Sequence, residues 1–249
     1  MLFDIEEMLN GCLDLSKAHS YGLISDIYLQ PGRPPFLYMG KQWITPTASV
    51  LPDWDACHLT QADVTKAIQR CQQLNEDIVE ESRDKATLTD FAFSWPSVTD
   101  PVWRVRAHIS KTQMGTGVTL RLLSSALPSL SDLGFPSCLL QCLKHPSGLV
   151  LICGPTGGGK STTMAAFIRA FTERRKGHIA TLEDPIEYIL DFPGHLVTQQ
   201  RVGPDEHVRD WESGIHNALR DKVELLMISE LRTASSVQAA IQAAASGHL

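Results

Sequence analysis

The sequence predicts an α/β chain of two domains: a small N-terminal α+β domain over residues 1–125, then a domain over 126–249 built on a parallel sheet. Three observations predict it. After residue 148, apolar runs of strand length alternate with stretches whose apolar residues recur at helical spacing, the order that repeated βα units impose. The first of these runs breaks into Gly154-Pro155-Thr156-Gly157-Gly158-Gly159-Lys160-Ser161-Thr162, a G-x-x-x-x-G-K-S loop between a strand-like run and a helix. Before residue 125 the apolar period changes to two over residues 87–123, the mark of half-buried antiparallel strands.

Composition bounds the possibilities. The chain has 249 residues, 43% of them hydrophobic and 20% charged, enough for packed cores. The net charge of −6 and the absence of a basic block argue against nucleic acid as a direct partner. The basic run Arg174-Arg175-Lys176 reads as a helix C-terminus before Gly177. Six cysteines lie apart with no C-x-x-C pair, which predicts free thiols in a reducing compartment. The acidic start lacks the basic region of a signal peptide, and no apolar run reaches the ~20 residues of a membrane span. The expected location is the cytoplasm, with any membrane reached only through partners.

In the first domain, Ile5, Met8, Leu9 and Cys12 predict a helix within residues 1–20. Strands follow at 25–30 and 36–39, separated by the turn Pro31-Gly32-Arg33-Pro34-Pro35 and closed by Gly40. A loop with Pro46 and Pro52 leads to Thr60, which can cap a helix from Gln61 to Leu74 with Val64, Ile68 and Cys71 on one face. The charged stretch 76–85 reads as a solvated helix. Three antiparallel strands then follow from Phe91, Phe93 and Trp95; from Trp103, Val105 and Ala107, alternating with Arg104, Arg106 and His108; and from Val118, Leu120 and Leu122, alternating with Thr119 and Arg121. Residues 124–129 read as a linker.

In the second domain, strand 149–153 leads to helix 160–175, with Met164, Phe167, Ile168 and Phe171 on one face. Strand 178–182 leads to a loop and a helix over 206–220 with Val208, Trp211, Ile215 and Leu219 inward. Strand 223–229 leads to helix 234–246 with Val237, Ala240, Ile241 and Ala244 inward.

The loop carries the chemistry. Its small residues let backbone N–H groups curl around phosphate oxygens, Lys160 can neutralise the β- and γ-phosphates, and the Ser161 hydroxyl can ligate Mg²⁺. The helix behind it points its positive end at the same anion. Ligands of a parallel sheet sit at the carboxyl ends of its strands. There the second strand ends in Thr181-Leu182-Glu183-Asp184 and the third in Ile228-Ser229-Glu230-Leu231-Arg232. Glu183 and Glu230 could hold a metal-bound water or orient the attacking one; each also reads as a solvated carboxylate or a helix N-terminal charge. The sequence lacks the N-K-x-D of guanine-specific GTPases, the H-R-D and D-F-G of protein kinases, and the L-S-G-G-Q of ABC transporters.

Four boxes in order, GPTGGGKSTT, TLEDPIEY, LLMISELRT and AAASGHL, resemble the Walker A, Asp box, Walker B and His box of the secretion-superfamily ATPases. These are the hexameric motors of type II and type IV secretion and of type IV pili, especially the PilT-type retraction ATPases. The N-terminal SDIYLQPGRPP resembles the opening of that group, and NALRDK with AAIQAAASGH resembles the DotB/TraJ type. The resemblance implies a PAS-like domain joined to a RecA-like ATPase domain, ATP and Mg²⁺ as cofactors, a homo-oligomeric ring, and partners in an inner-membrane platform. It implies that residues 154–162 hold the nucleotide, that Ser161 and Glu230 hold the metal, that Glu183 handles the water, and that His248 is the first His of the His box. It also implies that Arg104, Arg106 and Arg121 lie in the strands that present arginines to the γ-phosphate; each equally reads as an outward position on a half-buried sheet. Ser229 and Thr233 depart from the usual Gly and Asp of Walker B, and the chain stops within the His box, where His248 is expected to fray. Two functions follow: an ATP-hydrolysing motor subunit of a pilus, secretion or conjugation machine, or a hydrolysis-deficient nucleotide-binding regulator that associates with such a motor.

Overall fold

A computed structural model describes residues 3–18, 24–39, 42–46, 57–74, 89–95, 103–124, 127–155, 157–204 and 206–249. The expected helix over 76–85, residue Thr156 of the loop and part of the 124–129 stretch lie outside these residues. The chain divides into two compact units, 1–125 and 126–249.

The first unit is a six-stranded antiparallel sheet with one face covered by helices. Its elements are α1 (Ile5–Ala18), β1 (Ile24–Leu29), β2 (Phe36–Met39), β3 (Gln42–Ile44), α2 (Gln61–Gln73), β4 (Asp90–Trp95), β5 (Trp103–Thr112) and β6 (Gly115–Ser124), and the strand order is β3-β2-β1-β6-β5-β4. The period-two residues Phe91, Phe93, Trp95, Trp103, Val105, Ala107, Val118, Leu120 and Leu122 point into one core with Ile5, Met8, Leu9, Cys12 and Leu13 of α1 and Val64, Ala67, Ile68 and Cys71 of α2. Thr60 caps α2 in a full capping box: its hydroxyl accepts from Asp63 N–H, and the Asp63 carboxylate accepts from Thr60 N–H. The strand β3 falls where a loop is expected. It has three residues, two of them exposed, so it carries no periodicity; its signal is pairing with β2 and the Trp43 ring set 5.0 Å from that of Tyr38.

The second unit contains a 3-10 helix (Ser137–Lys144), α3 (Lys160–Thr172), β7 (His178–Glu183), β8 (Leu196–Arg201), α4 (Trp211–Ala218), β9 (Leu225–Ile228) and α5 (Ala234–Ala245). Its sheet is parallel, in the order β8-β7-β9. Ile168, Phe171, Ile179 and Leu225 share one core, and Leu182, Ile215, Ala239, Ala240 and Ala243 another.

Four expectations are corrected here. Residues 149–153 join no ladder, and Leu149, Val150 and Leu151 are 48%, 41% and 64% exposed. The outer side of β9 is taken by Leu249, whose N–H donates to the Glu224 carbonyl (3.2 Å) and whose carbonyl accepts from Leu226 N–H (2.7 Å). The His248 carbonyl accepts from Gly148 N–H (3.0 Å), so two residues stand between β9 and the 149–153 run, and a strand exists only through its neighbours. The same bonds tie the backbone of His248 to Gly148 and that of Leu249 to Glu224 and Leu226. The stretch 196–201, expected as loop, is β8; the polar Thr198, Gln199 and Gln200 hide the strand. Residues 206–209 are not helical: Val208 bridges to Val202, and Asp210 caps the shorter α4 by accepting from Ser213 N–H at 2.8 Å. In α5 the buried face is Ser236, Ala239, Ala240 and Ala243, while Val237 and Ile241 are 39% and 53% exposed. The capping box of Thr233 and Ser236 turns Ser236 inward, and small residues follow it into the core.

Gly214 on α4 fixes how closely that helix approaches the end of β7. A methyl group there would lie 2.8 Å from Leu182 Cδ2 and 3.3 Å from Val208 Cγ1, and Leu182 is fully buried. Gly214→Ala is expected to destabilise the unit by about 1–3 kcal/mol through overpacking, read as a lowered midpoint in denaturant unfolding.

Candidate functional site

The loop before α3 is shaped by glycine. Gly157 and Gly159 have φ of +74° and +80°, a region that side chains with a Cβ adopt only under strain. Gly159 occupies the N-cap position of α3 and offers no side-chain cap, so the N–H groups of the first helical turn, which have no intrahelical acceptor, are left for an anion. Lys160 begins that turn and folds back across the loop, donating from Nζ to the carbonyls of Gly154 (3.1 Å) and Pro155 (2.9 Å). Ser161 follows directly. A chain of small residues, an uncapped helix start, an ammonium group and a hydroxyl fits a phosphate with its divalent cation.

Glu183 ends β7 and is 5% exposed. Its Oε1 accepts from the Thr181 hydroxyl (2.6 Å) and from Gln199 Nε2 on β8 (3.0 Å). Burial raises its carboxyl above the ordinary carboxylate range; the bonds from Thr181, Gln199 and the Glu187 N–H oppose this, and the Glu187 charge adds to it. A raised carboxyl favours the fold at pH below its unfolded value, about 4.3, and that contribution is lost as the pH rises through the raised value. Glu183→Gln is therefore expected to raise the melting temperature at pH 8, with the difference shrinking as the pH falls towards about 4; an equal effect at both ends would contradict it.

Glu230 follows β9. The Ser229 N–H donates to the Leu182 carbonyl (2.9 Å), so the ends of β7 and β9 lie side by side. Glu230 Oε1 is buried and meets Arg232 Nη2 at 2.6 Å, a charge contact without an aligned hydrogen bond. The loop helix and the end of β7 are joined through Tyr188, whose hydroxyl shares a 3.0 Å hydrogen bond with that of Thr162. His248 Nδ1 lies 3.3 Å from the Ala243 carbonyl and from Ser246 Oγ, at the end of α5.

The arginines of the first unit stand on the sheet face opposite the helices. Arg106 and Arg121 are register partners; Arg121 Nε meets Asp26 Oδ1 at 2.8 Å, Arg106 meets Asp90 at 3.6 Å, and Arg104 is buried and donates to Ser94 Oγ at 3.2 Å. Sequence reasoning singled out neither Gln199 nor Arg232; both are polar residues in or beside a strand end next to a chosen glutamate, which is the one signal that could have found them.

A loop of this geometry at the front of an α/β unit has the shape that suits a phosphate, and the mixed parallel and antiparallel sheets are consistent with a RecA-like NTPase domain. The chain belongs to the family described as type II/IV secretion system protein, whose model matches residues 98–249. It is 30% identical over 230 residues to the type IV pilus ATPase PilU of Pseudomonas aeruginosa, covering 90% of this chain and 54% of that protein. It is 34% identical over 161 residues to the type IV pilus retractation ATPase PilT of the same organism, covering 65% of this chain and 45% of that one. Among solved structures, the crystal structure of the pilus retraction motor PilT with bound ADP superposes with a TM-score of 0.79 at 28% identity, covering 99% of this chain and 65% of that one. The chain thus spans about half the length of these curated relatives.

Proposed function

We propose that this chain is the ATP-binding and ATP-hydrolysing part of a motor subunit in a type IV pilus or type II/IV secretion machine. The observation that carries the reading is the loop: two positive-φ glycines, an uncapped helix start and Lys160 drawn across the mouth. The loop backbone from Gly154 to Gly159, with Lys160 and Thr162, binds the phosphates. Ser161 and Glu230 hold Mg²⁺, which neutralises charge developing on the phosphate oxygens. Among the described residues no group of three or more His, Cys, Asp or Glu could hold a metal alone, in keeping with a cation that arrives on the nucleotide. Glu183, kept out of water with one oxygen tied to two donors, orients the attacking water and takes its proton. Ser246 and Ala243 orient the His248 ring.

The likeness to PilU and PilT supports the wider setting: a homo-hexameric ring on the cytoplasmic side of the inner membrane, docked on platform proteins. Among the described residues no helix is long and apolar enough to cross a membrane. The first unit, with its six-stranded antiparallel sheet, is read as PAS-like, and Arg104, Arg106 and Arg121 as the set from which a γ-phosphate contact is drawn in the ring. The test is Mg·ATP titration with phosphate release measured across protein concentrations. Binding, with turnover per subunit that rises as the protein assembles, supports the motor. Binding without turnover at any concentration replaces it with the regulatory reading, and no binding overturns both.

A further inference from the structure

The polar interior beside the end of β7 holds one side chain the proposed chemistry has not used. Gln199 lies on β8 on the same side of the sheet as Thr181 and Glu183, since Gln199 pairs with Thr181 and Arg201 with Glu183. Its amide makes three bonds at once. Nε2 donates to Glu183 Oε1 (3.0 Å) and to the Tyr188 carbonyl (2.9 Å), and Oε1 accepts from the Leu190 N–H (2.8 Å). This fixes which way round the amide sits. Turned over, its oxygen would face two acceptors and its NH₂ would face an N–H.

The consequence falls on the carboxylate. Thr181 and Gln199 both donate to the same oxygen, Oε1, so that side of Glu183 is spoken for and the rotation of the carboxylate is fixed. The same Gln199 amide grips the Tyr188 backbone, and the Tyr188 hydroxyl reaches Thr162, next to Ser161 in the first turn of α3. A continuous path of hydrogen bonds therefore runs from the phosphate-loop helix to the carboxylate: Thr162, Tyr188, Gln199, Glu183.

We propose that Gln199 is a positioning residue for Glu183, holding Oε1 so that Oε2 is the oxygen presented to water, and that it ties this orientation to α3 through Tyr188. The proposal rests on the reading that Glu183 handles the water. Of the other charged groups, Glu187 lies on the following loop and its charge bears on Glu183, and Arg201 on β8 is the register partner of Glu183, with its guanidinium 3.2 Å from Glu206. Glu187 also donates its backbone N–H to the Glu183 carboxylate, and the side-chain donors to Oε1 are Thr181 and Gln199. Losing one of its two side-chain donors leaves the charged form of Glu183 less favoured, so its carboxyl titrates at higher pH.

The experiment compares the native chain with Gln199→Met, which keeps the length of the side chain without its hydrogen bonds, and with Thr181→Val, which removes the other donor to Oε1. Two readouts are taken: the carbon-13 NMR titration of the Glu183 carboxyl, and the acid limb of kcat against pH. Both substitutions are expected to move the titration and the limb to higher pH and to lower kcat about tenfold, with Mg·ATP affinity changed by less than about threefold. A Glu183 titration that stays in place in Gln199→Met overturns the proposal, even where kcat falls, because a merely structural role lowers kcat without moving the carboxyl. Glu183→Gln separates the levels. If that variant keeps full turnover, the water-handling reading falls and this proposal with it; if it is inactive while the titration in Gln199→Met is unmoved, only the role of Gln199 falls.

Discussion

Lys160→Ala is expected to lower Mg·ATP affinity by about 100-fold, the loss of charge-assisted hydrogen bonds worth about 1.5–3 kcal/mol in total. Lys160 is the first residue of α3, where alanine is a good helix former, so the fold should be kept. Its ammonium now rests on the carbonyls of Gly154 and Pro155, and phosphate oxygens carrying full charge are the stronger acceptors. Binding therefore exchanges the one set of partners for the other, and the alanine variant has nothing to exchange. Fluorescent-nucleotide titration with a melting curve beside it decides the matter. Equal affinity in a folded variant would show that the nucleotide does not use this loop.

Glu183→Gln is expected to lower kcat by about 10²–10⁴ while changing nucleotide affinity by less than about threefold. The separation follows from position. Glu183 is bonded to Thr181 and Gln199 and lies at the end of β7, whereas the phosphate cradle is built from the loop and α3. Glutamine accepts the same two hydrogen bonds at its oxygen but cannot take a proton from water. A variant with native turnover would return Glu183 to a structural role, and one that loses affinity as strongly as Lys160→Ala would place it in the phosphate site instead.

The parts of this architecture that were legible in the sequence are those whose signal is local. The capped α2, the period-two strands β4 to β6 and the phosphate loop each carry their cause in a few adjacent residues: Thr60 with Asp63, Phe91 with Phe93 and Trp95, Gly159 with Lys160. What was missed depends on neighbours distant in sequence. The run Leu149-Val150-Leu151 has the composition of a buried strand, yet strand identity lies in the ladder, and the backbone beside it is that of His248 and Leu249. β8 is the converse: Gln199 and Gln200 argue against a strand, and parallel pairing with β7 overrides them. On α5, Val237 and Ile241 outweigh alanine on any hydropathy scale, while close packing selects Ala239, Ala240 and Ala243 for the buried face. Of the candidate site, Glu183 was legible as a carboxylate at a strand end. Its burial, and the amide of Gln199 that holds it, were not, because they arise between β7 and β8.

Hydrogen–deuterium exchange with and without Mg·ATP tests most directly whether the 154–162 cradle is where the nucleotide sits. The amides of Gly157 to Thr163 are expected to exchange at least about tenfold more slowly with Mg·ATP present, as phosphate oxygens accept from the loop and the first turn of α3. The segment from Glu183 to Leu190 should gain a smaller protection through the bond between Tyr188 and Thr162. Saturating nucleotide that leaves the 157–163 amides unchanged, or that protects only the first unit, would contradict the assignment of this loop as the nucleotide site.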